Sequence, residues 1–278
     1  MDRLPAPLPP EALAYYARGR EAARLGEGHG LLEFERTCEI LERWLPASPA
    51  DVLDVGGGPG AYAVWLTSRG YRVVLVDAVP LHVAHALDAA ASADQSLAAR
   101  VGDARRLEEP DGAADAVLLL GPLYHLTERA ERLRALREAR RVLRPSGLLF
   151  AEGVSRFASL LSGLFDGFLA DPAFRAIVAR DLEDGQHRNP TSRDYFTTTF
   201  FHHPDELRAE VAQAGFTMDA VLGIEGPGWA LPDLVARWAD PARRAEILAA
   251  ARAIEGEPSL LGFHAHILAV GRVAPGLG

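Results

Sequence analysis

Hydrophobic and polar positions follow two alternating periods along most of the chain. From Asp51 onward, short apolar runs typical of buried strands alternate with segments whose apolar residues recur every three or four positions, as in helices. The runs predict strands at 52–55, 71–77, 98–102, 116–120, 148–151, 218–224 and 264–271. The intervening periods predict helices at 60–69, 80–92, 127–143 and 204–214, and mostly helical structure over 231–254. This alternation predicts an α/β fold with a doubly wound, Rossmann-like sheet.

The two ends of this pattern suggest a domain organisation. Residues 11–45 contain two helical segments separated by Gly26 and Gly28, and they follow an extended lead that contains Pro5 and Pro7. We therefore predict an N-terminal helical cap over residues 1–45 and a core over 46–278. Within the core, residues 155–200 are irregular, and we expect them to form a lid insertion over the sheet edge.

Composition excludes several chemistries. All 29 Lys+Arg positions are arginine, so no lysine is present for a Schiff base or a phosphate-binding P-loop. The formal net charge of −9 argues against a general nucleic-acid partner. The single cysteine, Cys38, excludes an intramolecular disulfide and a cysteine-based zinc cluster, and we expect it to be buried. No apolar run is long enough to span a membrane and the start is rich in proline, so we expect a cytoplasmic protein without a membrane partner.

A glycine-rich turn follows the first predicted strand. The stretch Asp54-Val55-Gly56-Gly57-Gly58-Pro59-Gly60 would let the backbone turn tightly and approach a ligand, with the N-terminus of the next helix aimed at it. Taken alone, Gly56-x-Gly58-x-x-Ala61 also fits the dinucleotide fingerprint of nicotinamide-dependent enzymes.

The full stretch resembles D-x-G-x-G-x-G, the first motif of class I S-adenosylmethionine-dependent methyltransferases, here of the bacterial small-molecule type. Two further features follow in the family's order: Asp77 at the end of the second strand, and Gly102-Asp103-Ala104 after the third. Segments 115–120 and 143–149 are similar to the family's fourth and fifth strand region. The resemblance implies a seven-stranded sheet with an antiparallel last strand, and S-adenosyl-L-methionine as cofactor.

The resemblance also implies a set of cofactor-binding residues. Asp77 would accept the ribose hydroxyls, and Asp103 and Ala104 would lie beside the adenine. Asp54 would either contact the cofactor or act as a structural acid that holds the amides of the glycine loop. The remaining expected contacts along this edge are Gly56, Gly58, Gly60 and Leu120.

The N-terminal helical segment is similar to the lead-in that caps the cofactor in many small-molecule members. We expect Tyr15 and Arg24 to contact the cofactor's carboxylate, Arg24 through a bidentate bond. The alternative is an amphipathic helix with solvated arginines. We expect most other arginines to be solvated charges on helix faces, such as Arg132, Arg137 and Arg141.

The acceptor would lie at the carboxyl ends of the strands. After the fourth strand, Tyr124 could stack on a substrate and His125 has the pKa range of a general base. This loop departs from the N-P-P-Y type of motif used for amino groups of nucleobases, which puts nucleic-acid methylation in doubt. The other candidates near this edge are His202, His264, His266 and Glu152, with His264 and His266 on one face of the last strand. We predict no metal site, because the spacing of His202, His203, His264 and His266 matches no standard ligand pattern.

The leading hypothesis is a methyltransferase that moves a methyl group from S-adenosylmethionine to a small organic acceptor by in-line displacement. One alternative is an NAD(P)-dependent oxidoreductase that uses the same glycine turn. A second is a non-catalytic regulatory protein that binds S-adenosylmethionine. The acceptor atom and the oligomeric state stay open at this point.

Overall fold

The computed structural model describes residues 8–189 and 195–275. The extended lead predicted around Pro5 and Pro7 lies outside the described residues, as does the part of the predicted lid insertion at 190–194. Within the described ranges, no helix combines the length and the apolar character needed to cross a membrane.

A nine-stranded sheet forms the centre of the described chain. Its strands are β1 (Asp51–Val55), β2 (Arg72–Asp77), β3 (Ala98–Val101), β4 (Ala114–Leu119), β5 (Leu143–Ser155), β6 (Gln186–His187), β7 (Thr199–His202), β8 (Thr217–Gly223) and β9 (His266–Arg272). Seven of them follow the order β3-β2-β1-β4-β5-β9-β8, in which β9 is antiparallel to both of its neighbours. The predicted α/β fold with an antiparallel last strand is therefore confirmed.

Helices cover both faces of this sheet. Those before β5 are α1 (Pro10–Tyr16), α2 (Glu21–Arg24), α3 (Gly30–Trp44), α4 (Ala61–Ser68), α5 (Pro80–Ser92), α6 (Pro122–His125) and α7 (Arg129–Val142). Those after β5 are α8 (Ala158–Phe165), α9 (Pro172–Asp184), α10 (Pro204–Gln213), α11 (Leu234–Trp238) and α12 (Pro241–Ile254). Three short 3-10 helices span Phe168–Ala170, Gly226–Ala230 and Leu261–Phe263.

The core has two layers because successive residues of a strand point to opposite faces. Val117 of β4 packs in the layer that contains residues of α7 and α10. Its neighbour Leu118 packs in the opposite layer, with residues of α3, α4 and α5. Both side chains are fully buried, and burying a side chain of this size contributes about 1.5–3 kcal/mol. The unbroken apolar run of β4 is therefore explained by burial on both faces.

Strand β5 is longer than the sequence predicts at both ends. Leu143 of β5 pairs with Ala114 of β4, and the next paired residues are Leu148 and Ala116. Residues 144–147 of β5 are therefore unpaired with β4 and form a turn that bulges out of the ladder. Within that turn Ser146 has a φ of +64°, a conformation that favours glycine. The strand continues to Ser155 because β7 and β9 pair with its last residues.

The predicted lid insertion contains α8, α9, the short strand β6 and the beginning of β7. β7 runs parallel to the end of β5, with Val154 opposite Phe201 and Ser155 opposite His202. β6 pairs antiparallel with β7. The end of this segment therefore extends the sheet itself, and its function as a lid stays a prediction.

The last strand begins two residues later than predicted. His264 follows the 3-10 helix Leu261–Phe263, and β9 starts at His266. His264 is fully buried, and its Nδ1 accepts a hydrogen bond from the Gly226 amide at 2.9 Å. The prediction that His264 and His266 share one face of a strand is wrong, because His264 is not part of the strand.

Candidate functional site

A cavity of about 520 Å³ opens at the carboxyl ends of β1, β2 and β4. Ligands bind at this edge in open α/β sheets, and small-molecule sites have volumes of roughly 300–1,000 Å³. The predicted site residues that line the cavity are Arg24, Asp54, Gly56, Gly58, Gly60, Asp77, Asp103, Ala104, Leu120, Tyr124 and His125. Tyr15, His202 and His266 are not among its lining residues.

The glycine turn forms one wall of the cavity. Gly56, Gly58 and Gly60 have φ values of +72°, +55° and +88°, which side chains with a Cβ rarely adopt. A Cβ on Gly58 would meet no heavy atom within 4 Å, so the backbone there faces open space. Gly60 precedes the first turn of α4, which directs the positive end of the helix dipole towards this wall.

Asp77 connects the end of β2 to the glycine turn. Its Oδ2 accepts a hydrogen bond from the Gly58 amide at 2.9 Å, and its Oδ1 accepts one from the Val79 amide at 2.8 Å. His82 Nδ1 lies 3.1 Å from the same Oδ1. A carboxylate has about four acceptor positions, so Asp77 keeps capacity for hydroxyl donors inside the cavity.

Asp54 lies behind the glycine turn and has no exposed surface. Among the described residues neither of its carboxyl oxygens has a hydrogen-bond partner, so the alternative in which Asp54 holds the loop amides is wrong. A Cβ on Gly57 would lie 2.4 Å from Asp54 Oδ2, which shows how closely the turn packs on this carboxyl group. Burial, together with the charge of Asp77, raises the pKa of Asp54 to about 7.

Asp103 and Ala104 follow β3 on the far side of Asp77. The Arg105 guanidinium donates to both oxygens of Asp103, Nε to Oδ1 at 3.0 Å and Nη2 to Oδ2 at 2.7 Å. This bidentate bond fixes the orientation of the carboxylate. Ala104 is buried and presents a small apolar surface beside it, and Leu120 closes the end of β4.

The first helix contributes Tyr16 to the cavity in place of the predicted Tyr15. The Tyr16 hydroxyl is hydrogen-bonded to His125 Nε2 at 2.6 Å. Tyr15 instead packs edge-on against Phe196, with ring centroids 5.6 Å apart. Adjacent helix residues point in directions about 100° apart, so only the packing of α1 decides which tyrosine faces inward.

Arg24 reaches the cavity, but its donors are engaged by two glutamates. Nη1 and Nη2 donate to Glu33 at 2.6 and 2.9 Å, and Nε donates to Glu21 at 2.5 Å. These bonds use three of the five N–H groups of the guanidinium. The cofactor contact of Arg24 therefore stays a prediction.

Tyr124 and His125 form the wall after β4. Burial lowers the pKa of His125 to about 4, so its imidazole is neutral near pH 7. Its Nδ1 is buried and has no hydrogen-bond partner among the described residues. The Tyr124 ring lies 4.8 Å from the His125 ring and 6.2 Å from Phe196, which gives this wall an aromatic surface.

Comparison with known proteins shows similarity to methyltransferases. A family profile described as "Methyltransferase domain" matches residues 52–147. An uncharacterised methyltransferase of Mycobacterium tuberculosis is 37% identical over 111 residues, which are 40% of this chain and 42% of that protein. The ubiquinone/menaquinone biosynthesis C-methyltransferase of Acidiphilium cryptum is 28% identical over 205 residues, which are 69% of this chain and 79% of that protein.

These matches make the chain similar to the class I S-adenosylmethionine-dependent methyltransferases, and the matched residues 52–147 contain the glycine turn, Asp77 and Asp103. The chain spans less than half the length of the mycobacterial relative. A solved S-adenosylmethionine-dependent methyltransferase from Methanosarcina mazei has the same fold, with a TM-score of 0.58 at 18% identity over 85% of this chain and 98% of that one.

The cofactor of this methyltransferase family is S-adenosylmethionine, and the residues of the cavity fit it. Its sulfonium and ammonium groups are positively charged, and the carboxylates of Glu21, Asp54, Asp77 and Asp103 all line the cavity. The buried Asp54 carboxyl group lacks a partner, as expected of a group whose counter-charge comes with a ligand. The open backbone at Gly58 leaves room for a close approach.

His202 was a candidate for the acceptor side, and the structure places it in the protein core. It is fully buried, with Nε2 3.4 Å from Glu210 and its ring edge-on to Phe200 at 4.7 Å. Burial lowers its pKa. The prediction that His202 faces the cavity is wrong, because β7 is a strand of the sheet and directs His202 towards α10.

A second polar group lies where α3, β5 and β9 meet. Glu33, Glu152 and His266 each place one potential ligand atom within 4.8 Å of the others, and Glu33 connects the group to the cavity through Arg24. Burial raises the pKa of Glu152 to about 8. Burial alone would lower the pKa of His266, but Glu225 and Glu33 outweigh it and raise this pKa to about 10.

Sequence reasoning found only part of this group. Glu152 and His266 are candidates because they lie at strand ends, whereas Glu33 and Glu225 were missed. Glu33 is on a helix far from the motif region, and Glu225 follows β8. Glu33 could have been identified, because it is a charged residue on the apolar face of α3, where it is 5% exposed.

Proposed function

We propose that this protein transfers a methyl group from S-adenosylmethionine to a small organic acceptor. The observation that carries the proposal is the cavity at the carboxyl ends of β1, β2 and β4, in which the glycine turn, the partnerless Asp54 carboxyl group and Asp77 meet. The similarity to a methyltransferase named for ubiquinone/menaquinone biosynthesis supports a small-molecule acceptor.

In this proposal each wall of the cavity holds one part of the cofactor. Asp77 accepts the ribose hydroxyls with the acceptor positions that Gly58 and Val79 leave free. Asp103, fixed by Arg105, and the small Ala104 border the adenine. Ionised Asp54 balances positive charge behind the glycine turn. When bound, S-adenosylmethionine supplies a methyl group that its sulfonium already activates.

The protein then has to align the acceptor and exclude water. The Tyr16–His125 bond holds α1 against the loop after β4, so these two side chains close the wall beside Tyr124. His125 is neutral, but its low pKa makes it a weak base and its Nε2 is engaged by Tyr16. We therefore propose that His125 positions Tyr16. A His125→Ala variant with unchanged cofactor affinity and no turnover would contradict this and favour a base.

The test measures binding first and turnover second. Calorimetry with S-adenosylhomocysteine, S-adenosylmethionine and NAD⁺ should show binding of both sulfur-containing nucleosides and none of NAD⁺. Release of S-adenosylhomocysteine is then followed with a panel of phenols, carboxylic acids, amines and thiols, with Asp77→Ala as the negative control. Binding of NAD⁺ alone would overturn the cofactor assignment. Cofactor binding without release from any acceptor class would favour the non-catalytic alternative.

A further inference from the structure

We propose that Glu33, Glu152 and His266 form a binding site for a divalent transition-metal ion. The three residues come from α3, β5 and β9, and none of them lines the cofactor cavity. The proposal concerns a second site beside that cavity and does not depend on methyl transfer.

Distances between the donors support a single ion. One ligand atom from each residue lies within 4.8 Å of the other two. Three ligands bound about 2.1 Å from one ion lie about 3.0–3.6 Å from one another, so the site needs a contraction of up to about 1.8 Å. Side-chain rotation of Glu33 and Glu152 can supply a movement of this size without a shift of the sheet.

The strongest observation is Glu152, whose carboxyl group has no partner. The residue is only 2% exposed, yet within the described ranges its side chain makes no hydrogen bond or ion pair. A buried carboxyl group without a partner either stays protonated or exchanges its proton for a metal ion. His266 Nε2 is similarly without a hydrogen-bond partner in the part of the chain that the structure describes. Two potential ligands are thus available in one place.

Two of the three ligands are oriented by neighbouring side chains. His266 Nδ1 is hydrogen-bonded to Glu225 and lies 3.9 Å from Glu33 Oε2. A carboxylate on one ring nitrogen fixes an imidazole for metal binding through its other nitrogen. Glu33 is held by Arg24 through two hydrogen bonds of 2.6 and 2.9 Å. Outer partners of this kind are expected of a prepared metal site, because they set the direction of the ligand lone pairs.

Charge and donor type indicate which ion would bind. Glu33, Glu152 and Glu225, when ionised, carry three negative charges, against the single permanent positive charge of Arg24. An ion bound by His266 would displace one proton of its imidazolium and supply two positive charges in place of that one. One imidazole with two carboxylates suits Mn²⁺, Fe²⁺ or Zn²⁺ better than Mg²⁺, which prefers oxygen ligands alone.

The experiment uses the full chain without an affinity tag, after treatment with a chelator and its removal. Calorimetric titrations with MnCl₂, ZnCl₂ and MgCl₂ measure stoichiometry and affinity, and Mn²⁺ electron paramagnetic resonance reports immobilised ion directly. We expect one equivalent of Mn²⁺ or Zn²⁺ to bind. Glu152→Gln and His266→Gln should each weaken binding by at least about tenfold, and Glu225→Gln by about 10–100-fold with all three ligands intact.

Glu35→Gln provides the matched control, because Glu35 is on the same helix as Glu33 but is paired with Arg244. This variant should bind the ion as the wild type does. Circular dichroism melting of every variant separates loss of ligand from loss of fold. Absence of stoichiometric Mn²⁺ and Zn²⁺ binding by the folded wild type would overturn the proposal, as would unchanged binding in Glu152→Gln and His266→Gln. S-adenosylhomocysteine affinity is measured in parallel, so failure of the metal site and failure of the proposed function are distinguishable.

Discussion

The two regions of the sheet, residues 51–142 and residues 143–275, place polar groups at the same edge in different ways. In the first region each cofactor candidate lies at the end of a strand or directly after it, as Asp77 and Asp103 do. In the second region the polar groups come from separated segments, and Glu152 and His266 meet Glu33 from a helix of the N-terminal part. A site built from short local motifs can be identified from sequence, whereas a site assembled by packing cannot.

The largest expected effect is on the free energy of unfolding. It concerns the buried ion pair between Arg132 on α7 and Glu210 on α10, which connects the two regions. Arg132 donates to both Glu210 oxygens at 2.8 and 2.9 Å, and its guanidinium lies 3.6 Å from the centroid of the Phe200 ring. Arg132→Ala removes the bidentate partner of buried Glu210 and leaves only the longer contacts to His202 at 3.4 Å and Arg129 at 3.6 Å. We therefore expect a loss of up to about 3–5 kcal/mol in the free energy of unfolding, measured by urea denaturation.

The matched control for that prediction is Arg137→Ala on the same helix. Arg137 is exposed, and its removal should change the free energy of unfolding by no more than about 0.5 kcal/mol. Similar effects of the two substitutions would show that the Arg132–Glu210 pair is not what joins the regions.

An intermediate effect, on the affinity for the cofactor product, is expected for a substitution of Asp77 in the first region. Asp77→Ala should weaken S-adenosylhomocysteine binding by about 1–3 kcal/mol, because it removes charge-assisted bonds to the ribose and frees the Gly58 amide. Calorimetry measures the affinity, and Asp88→Ala on exposed surface of α5 is the control. Unchanged affinity in Asp77→Ala would remove this residue from the cofactor site.

The smallest effect is a pH dependence that arises from Asp54. Its pKa in the free protein is raised to about 7, and a positively charged ligand favours the ionised form. The affinity for S-adenosylmethionine should therefore rise between pH 6 and pH 8, by at most about tenfold per pH unit, and level off above pH 8.

Two controls sharpen the pH prediction. The neutral nucleoside 5′-methylthioadenosine lacks both positive charges of the cofactor, so its affinity should show no such rise. Asp54→Asn should abolish the rise for S-adenosylmethionine. A pH profile that persists in Asp54→Asn would assign the titration to another group of the cavity.

The sequence accounts for the α/β fold and for most of the cavity wall, because the glycine turn, Asp77 and Asp103–Ala104 are tied to strand ends by a few residues of chain. It chose Tyr15 over Tyr16, because the rotation of a two-turn helix depends on what it packs against. It treated Arg132 as a solvated charge, since the spacing of α7 does not show that Glu210 of α10 lies opposite. It offered His202 as a candidate on the acceptor side, because local spacing does not show that β7 pairs with the end of β5.

The first helix has a consequence for the time a ligand would stay in the cavity. Besides the Tyr16–His125 bond, Glu11 on the same helix accepts a hydrogen bond from Thr198 at 2.7 Å, so α1 is attached both to the loop after β4 and to the segment before β7. We expect these two attachments to slow the release of a nucleoside bound beneath Tyr16. Opening of α1 would then be a step that ligands of unequal affinity share.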